Sequence, residues 1–203
     1  MGGRNMERKH IHAGMIELKK ARLPESVEVD GSLYPIHTSF KYWLRFTELL
    51  ADRNTPPADF DFIYSTEKKP QSRMDGLIAL IQFCSPPQIL PHTDKLEGSS
   101  EKVVDYAIDA DYIFAAFMEQ YGIDLVESDM HWYKFQALFK GLHSTKLNEI
   151  IGYRLWENTG GKRDAYTRQM EKLKNAWEIP QEPDEEDEDL KAFEAKLYQK
   201  TTE

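Results

Sequence analysis

This chain of 203 residues contains one cysteine, Cys84. That excludes an intramolecular disulfide framework and a cysteine-based metal knot. No apolar run approaches the roughly 20 residues needed to cross a bilayer. The basic start MGGRNMERKHIH is not followed by a continuous apolar segment, which argues against a secretory signal. The chain also lacks a Gly-Lys-Ser/Thr phosphate loop, a glycine-rich dinucleotide turn, a Gly-x-Ser-x-Gly elbow and a His-Glu-x-x-His helix. With a net charge of −9 it has no basic stripe of the kind that binds phosphates. The expectation is a cytoplasmic, non-enzymatic protein with no cofactor, no metal, no nucleic-acid partner and no membrane partner.

The chain does contain enough apolar material for one core: 40% hydrophobic and 30% charged residues, with ten Phe, ten Tyr and four Trp. Charge is concentrated at one end. From Pro180 onward there are nine acidic side chains against Lys191, Lys196 and Lys200, and Asp184 to Asp189 is an unbroken acidic run. Pro180 and Pro183 stop a helix ahead of that run, and its carboxylates repel one another. Residues 180–203 are therefore expected to be an acidic linker followed by a short helix. A solubilising tail is the simpler reading; the functional alternative is that the segment guards an apolar or basic surface until a partner displaces it, with Phe193 and Leu197 docking there. Residues 1–22 are expected to form a flexible extension, leaving 23–179 as a helical domain.

The fold class expected is mainly α, with about five to six helices and a small β-hairpin near 27–34. Val27 to Val29 and Ser32 to Tyr34 flank Asp30-Gly31, a pair suited to a type I′ turn, and Pro35 limits the second strand. Thr38 or Ser39 can cap a helix carrying Phe40, Trp43, Leu44, Phe46 and Leu50, while Asp59 to Tyr64 is too short to classify by period. Ser72 with Asp75 can open a helix from Met74 to Cys84, whose apolar face Met74, Leu77, Ile78 and Ile81 makes Cys84 a core thiol. Ser85-Pro86-Pro87 ends that helix, and the turn-rich stretch 88–101 reads as a mobile loop.

The central stretch Asp105 to Leu142 reads as helix, break, helix. Ile108, Tyr112, Ile113, Phe114, Phe117, Met118 and Tyr121 make the first part apolar almost all round, as in a helix buried between neighbours, and Gly122 ends it. Trp132, Phe135, Leu138, Phe139 and Leu142 give the second part its face. A further helix begins at Ser144 and stops at Asn158-Thr159-Gly160-Gly161. The last, Arg163 to Glu178, carries the stripe Tyr166, Met170, Leu173 and Trp177, which either extends the core or binds another chain. Asp105, Asp109 and Asp111, with Asp124 and Glu127, are the nearest thing to a metal cluster. Carboxylates at a helix start are more simply explained by capping and the helix dipole. His10 and His12 lie near the start and His131 beside Trp132, without the spacing of a zinc site.

Several blocks resemble, in order, a family of small bacteriophage proteins named after gene product fifteen. They are Leu23 to Gly31, Tyr34-Pro35-Ile36 leading into Phe40 to Leu50, Ile108 to Ile113 with Phe117 and Tyr121 to Leu125, His131-Trp132 with Phe135 and Leu138 to Leu142, and Ile150 to Arg154. Members of that family are encoded among the tail genes of phages and prophages of Gram-positive bacteria, beside the tape-measure gene. The resemblance therefore implies a tail assembly chaperone that binds the tape-measure protein in the host cytoplasm, as a homo-oligomer, and it transfers no catalytic residue. Met1 to Gly14 precede the family's usual beginning, which makes Met15 a candidate start. Partner-binding candidates are Trp132, Phe139, Tyr166, Met170, Leu173 and Trp177, because aromatic anchors dominate grooves that receive amphipathic helices. The alternative reading is a structural tail or connector component retained in the virion, with the last helix supplying a ring interface.

Overall fold

A computed structural model describes residues 22–52, 54–84, 103–161 and 164–180. The expected N-terminal extension, the loop 88–101 and the C-terminal acidic segment lie, but for their boundary residues, outside that set. The described part is mainly helical with one small hairpin: β1 (Ser26–Val29), β2 (Ser32–Pro35), α1 (Phe40–Ala51), a 3-10 helix (Pro57–Ile63), α2 (Arg73–Cys84), α3 (Ala110–Tyr121), α4 (Trp132–Gly141), α5 (Lys146–Arg154) and α6 (Ala165–Trp177). It divides into two compact units. The first holds the described residues of 1–101 with Asp109–Glu149, and the second those of 102–108 and 150–203.

The first unit opens with the expected turn. Asp30 and Gly31 both have positive φ, 50° and 72°, and the antiparallel register sets Val27 opposite Tyr34 and Val29 opposite Ser32. Only a type I′ geometry needs two such residues in succession, and Gly31 adopts it without a Cβ clash. Val27, Val29 and Tyr34 are buried while Glu28 and Leu33 face out, the alternation of a half-buried strand. β1 lies against α2.

After Pro35 the chain stays extended and pairs twice more. His37 N donates to Ile63 O (2.7 Å) and Ser65 N to Pro35 O (3.1 Å), a bridge between Ile36 and Tyr64. Phe40 N then donates to Met130 O (2.9 Å) and Trp132 N to Thr38 O (2.7 Å), a bridge between Ser39 and His131. This corrects the expected side-chain cap of α1. Ser39 occupies the cap position but makes no side-chain cap bond; Phe40 N donates to Met130 O, and Tyr42 N donates to the Ser39 carbonyl instead of its hydroxyl.

Stacked rings form the core of this unit. Phe135 lies parallel to Phe40 (4.8 Å between centroids) and to Phe117 (5.3 Å), and Trp43 stacks on Phe83 (4.7 Å). Phe46 bridges Trp43 (5.2 Å) to Phe60 (5.0 Å, edge-on). The short DFDFIY segment is thereby explained. As a 3-10 helix it sends Phe60 and Ile63 inward, and Arg45 covers Phe62 with its guanidinium 4.6 Å from the ring. Each such aromatic buries on the order of 150–250 Å², so these rings dominate the unit's stability.

Several helix boundaries differ from the sequence expectation. α3 begins at Ala110, because Asp105 Oδ1 accepts from Ala107 N (2.8 Å) and Ile108 N (2.9 Å) and holds a separate turn ahead of the helix. α3 is also buried on one side only. Ile113, Ala116 and Phe117 face inward, whereas Met118 is exposed, as is Ile108 in the turn ahead of the helix. Gly122 ends it as expected, with φ 65° and its N–H on Met118 O (3.0 Å). α5 is capped by Thr145 rather than Ser144. Thr145 N donates to Asn148 Oδ1 (3.1 Å) and Asn148 N to Thr145 Oγ1 (3.4 Å), a reciprocal box closed by asparagine, while Ser144 takes a positive φ of 57°. α5 ends at Arg154, ahead of the glycine pair.

In the second unit Arg154 is the organising residue. It is buried, donating from Nε to Trp177 O (2.6 Å) and from Nη1 to Val103 O (3.0 Å), so one guanidinium joins three segments. Lys174 Nζ adds a bond to Trp156 O (3.3 Å). Asp164 caps α6 by accepting from Thr167 N (2.8 Å), and those bonds from Thr167 hold its carboxyl below the usual carboxylate range.

Candidate interaction surfaces

α2 shows how an exposed apolar face arises. Its sequence RMDGLIALIQFC is apolar nearly all round, and the buried side is Gly76, Leu80, Phe83 and Cys84. Cys84 is the core thiol expected, but the face assigned to the core is not the buried one: Met74 is 55% and Ile78 46% exposed, with Leu77 and Ile81 half-buried. Gly76 causes the rotation. Tyr64 and Pro70 pack so close to it that a Cβ there would meet the Tyr64 hydroxyl at 2.7 Å, so the helix turns its glycine inward and its Met74–Ile78 edge outward.

The same packing leaves Tyr64 Oη buried without a hydrogen-bond partner, the one such side-chain atom among the described residues. Burial, assisted by Asp61, pushes this phenol up to about 12. Asp61 itself is paired with Arg73 Nε (3.0 Å) and Lys69 Nζ (3.6 Å).

The α4 candidates separate by depth. Trp132 is 1% exposed, its indole N–H donating to Cys84 O (3.0 Å), where Gln136 Nε2 donates as well (3.0 Å). The indole thus closes the end of α2 and is unavailable to a partner in this fold. Phe139 is half-buried, stacked 6.0 Å from Phe135. At the start of α4, His131 is the cap. Its Nδ1 accepts from Tyr133 N (3.1 Å), so Nε2 carries the proton and donates to Pro24 O (2.9 Å). Burial lowers the His131 pKa, and nearby Lys134 adds to that, against the opposing bond to Pro24 and the charge of Glu25.

In the second unit the α6 stripe also divides. Tyr166 is 64% exposed, whereas Met170, Leu173 and Trp177 are each half-covered. The residue of α6 most withdrawn from solvent is Thr167, which sequence periodicity does not single out. At the end of α5 Gly152 and, just past the helix, Leu155 face outward beside a half-buried Ile151, with Leu155 52% exposed and nothing within 4 Å of where a Gly152 side chain would begin.

These surfaces offer apolar and aromatic edges rather than reactive constellations. Among the described residues no group of three His, Cys, Asp or Glu side chains could hold a metal ion. Asp109 is buried at the start of α3 while Asp111 is exposed, so the acidic trio of the sequence does not converge on one face. No described helix is long and apolar enough to cross a membrane.

No curated protein and no solved structure matches this chain. Residues 20–179, which include every described element from β1 to α6, match the family described as bacteriophage Gp15 protein, and the chain belongs to that family.

Proposed function

We propose that this protein is a tail assembly chaperone, a non-enzymatic binding protein that engages the tape-measure protein in the host cytoplasm while the phage tail is built. The observation that carries the reading is the family match across 20–179. The exposed edges Met74–Ile78 on α2 and Tyr166 on α6 support it, being the kind of apolar surface that receives an amphipathic helix. Several copies would coat the tape measure's apolar stripe and leave as tube subunits polymerise around it. That cycle favours modest affinity per site, with multivalency along the tape supplying the total.

The test is co-expression with the product of the adjacent tape-measure gene, followed by pull-down and weighing of the soluble complex. The expected result is a tape measure that is soluble only with this chain, with several copies co-purifying and the chain absent from mature particles. An insoluble tape measure, with this chain found in the particles as a closed ring, would sink the chaperone reading in favour of a structural tail or connector component.

A further inference from the structure

We infer that the row Ile151, Gly152 and Leu155 at the end of α5 is the docking surface for this chain's own segment 190–198. The row is apolar and open at two of its three positions: Leu155 is half-exposed, the site of a Gly152 side chain is empty space into which a ring could settle against the backbone, and Ile151 is half-buried. Leu155 continues the helical pattern, its N–H on Ile151 O (3.0 Å), so the three residues share one face.

The occupant follows from where the chain leaves. Two bonds bring the end of α6 to the end of α5, Arg154 Nε to Trp177 O and Lys174 Nζ to Trp156 O, so the chain leaves α6 close to the end of α5. Between Trp177 and Phe193 lie about 15 residues, enough for up to roughly 50 Å of extended chain. Closing so short a loop costs little more than closing a shorter one.

Segment 190–198, LKAFEAKLY, sets Leu190, Phe193 and Leu197 at spacings of three and four, an apolar stripe of helical period with Lys191, Glu194 and Lys196 elsewhere. Arg168 and Lys172 are exposed one turn apart on α6, a basic pair that would attract the acidic run Asp184 to Asp189 preceding the segment. Their charge favours folding the run back along this unit over extending it into solvent.

The test uses the full chain carrying Leu155→Cys with Phe193→Cys, beside a control carrying Leu33→Cys with Phe193→Cys. Leu33 is at least as exposed as Leu155 but lies on the hairpin, and the native Cys84 is buried, so the introduced thiols are the reactive ones. Under mild oxidation the Leu155 pair should close within one chain on the order of tenfold faster than the control, the advantage expected of a docked over a freely exploring segment. Adding Leu197→Asp should bring its rate down to the control's. Equal rates for the two pairs, or disulfides only between chains, would overturn the inference, the second outcome assigning the face to another copy.

Discussion

Carbonyls at and beside helix ends are satisfied by different donors in the two units. In the first, the terminal carbonyl of α2 accepts from the Trp132 indole and the Gln136 amide, neutral donors set among stacked rings. In the second, the carbonyls of Trp177, Val103 and Trp156 are met by Arg154 and Lys174. The first unit owns most of the large buried aromatics, Trp43, Phe46, Phe117, Trp132 and Phe135 among them. The second has few, and its α6 turns a threonine and a lysine stem inward. A segment with little apolar area to bury depends more on charge-assisted hydrogen bonds, which are individually stronger but are lost whole when one side chain is changed.

The largest expected effect is in the ring core. Phe135→Ala removes stacking against Phe40, Phe117 and Trp132 and leaves a cavity, costing about 3–5 kcal/mol in urea unfolding. A loss below about 1 kcal/mol would mean that the rings do not carry the first unit. Next comes Arg154→Met, which keeps much of the side chain's apolar bulk but strands three segments without their donor. It should cost about 2–3 kcal/mol, read by hydrogen exchange as faster opening of α6 with α4 little changed. Uniform acceleration across both units would erase the contrast drawn between them.

His131 tests by pH the neutral hydrogen bonding at the start of α4 in the first unit. Its folded pKa lies below the ordinary histidine value, so the native state holds it neutral while the unfolded chain takes up a proton first. Its contribution is therefore complete above the ordinary value of 6.5. It is lost as the pH falls from there through the lowered native value, as protonation of Nδ1 breaks the Tyr133 cap. His131→Asn can still cap but does not titrate, and should flatten the fall in stability between about pH 7.5 and about pH 5.5; an unchanged slope would remove His131 from the account. His131→Ala, which loses the cap altogether, should cost about 1 kcal/mol.

Smaller still, and opposite in sign, is Tyr64→Phe. It deletes a buried hydroxyl with no partner and should leave stability unchanged or raise it by about 1 kcal/mol. Gly76→Ala alone should destabilise, and less so when combined with Tyr64→Phe, since the atom met at 2.7 Å is that hydroxyl. Additive effects in the double mutant would show that Pro70, 3.1 Å from the same point, sets the limit instead.

Much of this was legible in the sequence. The hairpin followed from Asp30-Gly31, the end of α3 from Gly122, and the family from ordered blocks such as His131-Trp132 and Ile150 to Arg154. Each of these is a local rule: a dihedral that few residues adopt, or a pattern within one helix. The candidate surfaces were less legible. Trp132 offered itself as an anchor by its size and spacing, yet its indole N–H finds its acceptor 48 residues away in sequence, at Cys84. Thr145 took the cap from Ser144 because Asn148 stood at the reciprocal position, a pairing that hydroxyl propensity alone does not rank.

Sequence by itself determined the hairpin and the α-helices, the turn chemistry, the separation of an acidic end from a near-neutral body, and the family, because periodicity, special dihedrals and charge are properties of neighbouring residues. Tertiary structure alone decided which side of each apolar helix faces solvent. Leu77, Ile78, Leu80 and Ile81 offer α2 no preferred inward face, and the choice fell to a phenol from Tyr64 that only a glycine, Gly76, could accommodate. Contacts between residues distant in sequence thus assigned the exposed edges on which binding depends.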